Sequence, residues 1–195
     1  LRRYNQVDSE LLRTPINGPE DFVEGRYGDY IFCGGRINAT KRQHLLVEAM
    51  RYVRSSAKLI IAGPADTPQD AQRLRHLVAR YGLSHRVHLD VGYHAREKIA
   101  PLVSHSLACA YLPIDEDSYG YVAMEANQAG KAVITADDAG GLLDLVIDDQ
   151  TGWVCTPEPV ALAQAIDHAF DQRQRTIDLG QHARQEWLRQ DITWE

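Results

Sequence analysis

The chain has 195 residues, of which 44% are hydrophobic, 25% charged and 8% aromatic, the composition of an ordinary globular protein rather than a disordered or fibrous one. At that length a chain buries roughly 70% of the surface it exposes when unfolded, which supports a full core without disulfide or metal staples. Lys and Arg number 21 against 27 Asp and Glu, a formal charge of −6, and no stretch gathers the basic residues into a stripe, so nucleic acid is excluded as a partner.

The chain opens on LRRYNQVDSELLR, helix-like and without a start Met, and stops at DITWE; both ends read as cut from something larger. The Pro, Asn and Gly of TPINGPEDF mark turns, so residues 1–28 read as an interdomain connector and the end of a preceding domain. From there β-branched apolar runs alternate with longer segments of helical period, the signature of a parallel α/β sheet. Strands are predicted at 30–35, 58–63, 86–92, 107–114, 132–137 and 152–157. Helices are predicted at 41–53, 67–82, 95–106, 120–129, 141–147, 158–171 and 175–189, with a kink or break at Pro101. Near-continuous apolar strands imply that both sheet faces are covered. The fold class is thus α/β, a Rossmann-like doubly wound parallel sheet of about six strands over residues 29–195.

Cys33, Cys109 and Cys155 lie far apart in apolar runs and read as small buried hydrophobes in a reducing compartment. No run approaches the ~18 apolar residues of a membrane span, and no signal peptide opens the chain. The expected location is the cytoplasm; attachment of a full-length protein to the inner membrane surface is left open. The eight histidines do not fall at metal-ligand spacing.

In a sheet of order 3-2-1-4-5-6, ligands bind beyond the carboxyl ends of strands 1 and 4. The first of those ends carries Gly34, Gly35, Arg36 and Lys41, glycines for tight backbone geometry and two cations spaced to reach one anion, a diphosphate for example. Taken alone, the cations read equally well as solvated surface charges. The second end carries Asp117, Gly120 at a helix entrance and Glu125 within the helix. A helix start with Gly presents free N–H groups to an anion. Glu125 shares a face with Tyr121 and can accept hydrogen bonds from a vicinal diol. Its neighbours Val122, Ala123 and Ala126 imply burial, so the carboxylate needs a partner.

These residues resemble the retaining glycosyltransferases of the GT-B fold, of the family 4 or group 1 type, and match their C-terminal, donor-binding half. The likeness runs through TPINGPEDF, CGGRINATK, RVHLDVGYH and LPIDEDSYGYVAMEANQAGKAVITADDAGGLLDLVIDDQTGWV. It implies that Arg36 and Lys41 bind the donor diphosphate, that Glu125 holds the ribose, and that Asp117 stands where the family's Glu-x7-Glu motif has its first Glu. Asp is shorter by one bond of ~1.5 Å, which shifts or bridges a contact to the sugar; Glu116 could substitute with a local register change. The segment Ser118, Tyr119, Gly120, Tyr121 and Val122 falls where the family's backbone amides meet phosphate. Gly92 and Tyr93 fall where it contacts the nucleobase, although Tyr93 reads equally as an unliganded rim aromatic. Asp115, Glu116 and Asp117 also spell Asp-x-Asp, a metal-binding pattern of the other large glycosyltransferase fold; the Arg/Lys pair fits the GT-B type, in which protein cations take the metal's role.

The resemblance implies transfer of a sugar from a nucleotide-diphosphate sugar, UDP- or GDP-linked, to an acceptor hydroxyl with retention. No cofactor is expected, and the acceptor, a sugar, a lipid-linked group or another hydroxyl compound, is expected to sit mainly on an N-terminal domain absent from this chain. The alternative is a nucleotide-binding or regulatory module of the same fold without catalysis. A dinucleotide enzyme is set aside because Gly-x-Gly-x-x-Gly is missing after strand 1.

Overall fold

The computed structural model describes residues 6, 8, 13–116 and 118–193; most of the helix-like opening stretch, and Asp117, lie outside the described residues. Six strands form one sheet in the order β3-β2-β1-β4-β5-β6, with every neighbouring pair parallel. They are β1 (Tyr30–Gly34), β2 (Lys58–Gly63), β3 (Val87–Val91), β4 (Ala108–Ala110), β5 (Val133–Ala136) and β6 (Gly152–Cys155). The helices are α1 (Gln43–Ala49), α2 (Pro68–Arg80), α3 (Arg96–Ser104), α4 (Tyr121–Gln128), α5 (Pro159–Asp171) and α6 (Arg173–Arg189). The chain has the predicted Rossmann-like, doubly wound architecture.

Side chains alternate across the strands and feed two cores. Ile31, Cys33, Leu59, Ile61 and Ile134 pack on one face under α1, α2 and α5. Phe32, Ala62, Cys109 and Val133 pack on the other under α3 and α4. α2 shows how local chemistry sets an element: Thr67 and Asp70 form a reciprocal capping box, Pro68 opens the first turn, and Ala71, Leu74, Leu77 and Val78 make the buried stripe. The connector docks on the second core through Ile16 and Phe22, with a 3-10 turn at Pro19–Asp21 between them. Lys131 tethers the same segment from below: its buried ammonium lies 3.4 Å from the Tyr27 ring centroid and donates to the Gly25 carbonyl.

Four elements differ from the sequence reading. β4 is three residues long rather than the predicted 107–114, because Pro113 has no N–H to offer a ladder and the carbonyls of Leu112 and Pro113 accept from Arg42 instead. α1 starts only at Gln43, since Arg42 takes a left-handed backbone conformation (φ 54°). The predicted 141–147 helix is a single 3-10 turn, Gly141–Asp144. α3 runs unbroken through Pro101; the proline sits on the exposed side of a nine-residue helix, where the carbonyl it leaves unpaired can be solvated.

At the carboxyl end of the sheet the loops after β1 and β2 nearly touch. Gly63 adopts φ 149°, and a Cβ there would lie 2.0 Å from the Gly35 carbonyl oxygen. Gly82 also has positive φ, 64°, but a Cβ there meets nothing within 4 Å. We therefore expect Gly82→Ala to cost only the left-handed penalty of about 1 kcal/mol. Gly63→Ala, which must also move backbone, should lose about 3 kcal/mol or more; urea denaturation of the two variants checks the ranking.

Candidate functional site

The loop after β1 is wired to its neighbours before any ligand is considered. The Ile37 amide donates to the Pro64 carbonyl (2.8 Å), and the Asp66 amide donates back to Ile37 (3.0 Å). Gln43 Nε2 donates to the Arg36 carbonyl (2.9 Å), and the Asn38 side chain accepts from the Lys41 amide (2.9 Å). The Arg36 backbone is fixed in this way while its side chain remains 69% exposed, with only Asp66 at 3.9 Å. An ion pair that long and exposed contributes little, so the guanidinium is available to an anion.

Lys41 points the other way round the same loop. Its ammonium donates to the Tyr111 hydroxyl (2.7 Å) and to Glu116. The Tyr111 hydroxyl in turn donates to the same Glu116 carboxylate (2.7 Å). Burial pushes Glu116 up, but the bonds from Lys41 and Tyr111 and the charges of Lys41 and Arg36 outweigh it, so the carboxyl titrates below its usual range. The Tyr111 hydroxyl is raised by burial and by Glu116 and stays protonated.

Gly120 begins α4 with φ 71°, and a Cβ there would lie 2.4 Å from Cε1 of Tyr111. Only glycine lets the tyrosine ring pack beneath the helix entrance, and that packing brings Lys41 to the helix's positive end. On the other side of the entrance, Val122 comes so close that a Cβ on Gly35 would lie 3.1 Å from its Cγ2. The β1 and β4 loops therefore close on one another, as the crevice rule requires.

Between them lies a cavity of about 260 Å³. Gly34, Gly35 and Arg36 form one wall, Tyr121, Val122 and Glu125 the other, and Tyr93 stands at the rim, 85% exposed. Gly92 closes the β3 side, its amide donating to the Gly63 carbonyl (2.9 Å). A larger cavity, about 420 Å³, separates the connector from the end of α6; Pro15, Ile16, Trp187 and Ile192 line it, and among the described residues it has no Lys or Arg in its lining, whereas the smaller one has Arg36.

Arg36, Glu125, Gly34, Gly35, Tyr93, Tyr121 and Val122 thus share one cavity, and Lys41 and Gly120 stand behind its α4 wall. Ser118 is exposed beside it and accepts weakly from the Gly120 amide (3.4 Å). Tyr119 is placed differently: its ring is buried in the second core with Arg13 stacked at 4.5 Å, so only its backbone faces the helix start. Asp117 lies outside the described residues. Among the described residues no cluster of three His, Cys, Asp or Glu is placed to hold a metal ion.

Sequence reasoning missed three supports. Tyr111 was read only as part of a strand. Gly63 ends β2 without any visible motif. Arg42 is the largest omission: its buried guanidinium donates to the Leu112 carbonyl (2.8 Å), the Pro113 carbonyl (2.7 Å) and both oxygens of Asp138 (2.6 and 2.8 Å). Asp138 is held below the usual carboxylate range chiefly by these bonds. The DDAGG segment (137–141) supplies the carboxylate of this latch. No local signal foretells a partner 96 residues away.

The family model described as "Glycosyl transferases group 1" matches residues 22–186, and the chain belongs to that family. It is 31% identical over 192 residues to the glycogen synthase of Mycobacterium tuberculosis, a match covering 94% of this chain and 41% of that protein. The sucrose-phosphate synthase of Thermosynechococcus elongatus shares the fold with a TM-score of 0.81 at 28% identity, over 99% of this chain and 51% of that one. Alr3699/HepE of Anabaena, solved in complex with UDP and glucose, gives 0.75 at 26% identity, over 83% of this chain and 44% of that one. The chain spans about half or less of the length of these relatives.

Two predictions follow from the wiring. Arg42→Ala strands two carbonyls and leaves the Asp138 carboxylate without its guanidinium, and should cost about 3 kcal/mol in urea denaturation. The Glu125 carboxyl makes no hydrogen bond among the described residues, and burial pushes it up to about 7, opposed only in part by Arg96. Between the unfolded value of about 4.3 and that value, the folded chain keeps a proton the unfolded chain has released, so this group makes stability fall as pH rises. Glu125→Gln should therefore be more stable than wild type by about 2–3 kcal/mol above about pH 8, with the difference gone below about pH 4.

Proposed function

We propose that this chain is the donor-binding half of a retaining glycosyltransferase, taking a nucleotide-diphosphate sugar in the cavity between the β1 loop and the start of α4. The observation that carries the reading is one cavity lined by Gly35, Arg36, the first turn of α4 and Glu125, with the Lys41 ammonium on the Tyr111 hydroxyl beside the helix start. HepE, a structural relative solved with UDP and glucose, supports a nucleotide-sugar ligand.

In this reading Arg36, exposed on a fixed backbone, and Lys41, at the positive end of α4, meet the diphosphate. Charge that grows on the departing diphosphate is stabilised by groups already in place, the preorganised contribution that lowers such barriers most. The amides at the start of α4 add to it. Glu125 accepts from the ribose hydroxyls; a buried carboxyl near neutrality gains a partner there, which favours its charged form. Tyr93 stacks on the base, and Asp117 meets the sugar. Protein cations do the neutralising, and no cofactor is invoked. Retention comes with the family. A preceding domain contributes the acceptor site, so this chain alone binds nucleotide without transferring sugar, in the cytoplasm or on the inner membrane surface. Asp117, standing in place of the family's Glu, favours a second reading: a module that binds nucleotide and has lost transfer.

Calorimetric titration with UDP, GDP and ADP tests the site. One nucleotide should bind, with Arg36→Ala and Lys41→Ala each losing about tenfold and the double variant about a hundredfold. Asp117→Ala should weaken the sugar-bearing donor more than the free diphosphate. No heat with any nucleotide, or binding indifferent to both cations, overturns the reading. A full-length protein that binds donor but transfers nothing to any acceptor supports the second reading.

A further inference from the structure

The Lys41 ammonium, assigned above to a diphosphate, is already neutralised in the unliganded chain. Glu116 takes hydrogen bonds from both Lys41 and Tyr111, and the Lys41 and Glu116 side chains are each 18% exposed, so this is no loose surface pair. The carboxylate presents to those two donors the same thing a phosphate presents: a single anionic oxygen accepting two hydrogen bonds. A nucleoside diphosphate entering the crevice therefore meets an occupied receptor.

We propose that Glu116 is a built-in competitor for the donor's phosphate, holding Lys41 and Tyr111 and swinging aside when the diphosphate binds, with the Tyr111 hydroxyl then donating to a phosphate oxygen. The proposal rests on the donor-site reading given above.

Three features of the structure make the exchange a side-chain event. The Glu116 backbone is fixed, its amide donating to the Ala139 carbonyl (3.2 Å) and its carbonyl accepting from the Gly141 amide (2.6 Å). Tyr111 is fixed as well, its ring wedged under Gly120 and its carbonyl accepting from the Thr135 hydroxyl (2.7 Å). Lys41 starts from an amide anchored on Asn38. The mobile part is the Glu116 side chain, which has solvent on one side. When it leaves, an ammonium and a hydroxyl lose one acceptor and regain another, so neither is left unsatisfied. A diphosphate bears more charge than the carboxylate and reaches Arg36 and the α4 start at the same time, which Glu116 does not, and this gives the ligand its advantage. Competition of this kind also selects: anions too weak to displace Glu116 are kept out.

The test is calorimetry on the chain with UDP, GDP, ADP and inorganic pyrophosphate, beside uridine, guanosine and adenosine as phosphate-free controls. Glu116→Gln keeps the shape and removes the charge. It should tighten the cognate diphosphate about tenfold while leaving the matching nucleoside unchanged, a split that general loosening of the loop does not produce. Unchanged or weaker diphosphate binding in Glu116→Gln, with wild type binding normally, overturns the competitor role and leaves the donor site standing. Failure of wild type and Glu116→Gln alike to bind any diphosphate overturns both. A crystal structure of the wild-type chain with bound diphosphate gives an independent reading: Glu116 turned away from Lys41 is expected, and a Lys41–Glu116 pair intact beside the phosphate refutes the exchange.

Discussion

Arg42 is the interaction on which the site depends. The loops after β1, β4 and β5 leave the sheet side by side, the Ile114 amide donating to the Thr40 carbonyl (3.0 Å) and the Asp115 amide to the Asp138 carbonyl (2.9 Å). One buried guanidinium donates to two carbonyls of the second loop and clamps the Asp138 carboxylate of the third from both sides. A planar fork of fixed donors suits this task, where a point-charged ammonium would leave carbonyls unpaired. The left-handed backbone at Arg42 and the delayed start of α1 are the local consequences of turning that side chain inward. Lys41 is thereby sent toward Tyr111 while Arg36 is left in the open.

The electrostatic layout follows from that arrangement. The chain is acidic as a whole, with a net charge of −6, yet Arg36 lines this crevice together with the first turn of α4, and the Lys41 ammonium lies on Tyr111 beside the helix start. Its carboxylates differ in state. Glu116 is charged and paired, whereas the Glu125 carboxyl, half-buried and without a hydrogen-bond partner among the described residues, is pushed up to about 7. Desolvation dominates where no donor is near, and donors dominate where two are close.

The rigid parts of the crevice owe their closeness to glycine. At Gly63 and Gly120 an added Cβ would lie 2.0 Å from backbone and 2.4 Å from the Tyr111 ring. These two positions let loops approach to a distance that side chains forbid. The same economy extends behind the sheet, where the connector lies on the second core and Lys131 sits beneath Tyr27, its ammonium drawn down to about 8 by burial. Through Ile16 and Phe22 this segment is part of the packing of the face that carries α3 and α4.

Much of this was legible in the sequence. The six strands follow from apolar periodicity, the strand order and the crevice from the doubly wound fold that this alternation implies, and the group 1 glycosyltransferase character from a family resemblance carried by short motifs whose residues are neighbours in the chain. Arg36, Gly120 and Glu125 were visible for that reason. What the sequence could not disclose depends on partners far apart along it: whether Lys41 faces Glu116 or solvent, why Tyr111 sits under a glycine, and that Arg42 rather than its neighbour ties the loops. Local periodicity determines which face of an element is buried, because burial repeats with the element's own geometry. The direction a polar side chain takes is decided only when the chain has folded and brought it an acceptor, since such bonds are formed across tens of residues and leave no local trace.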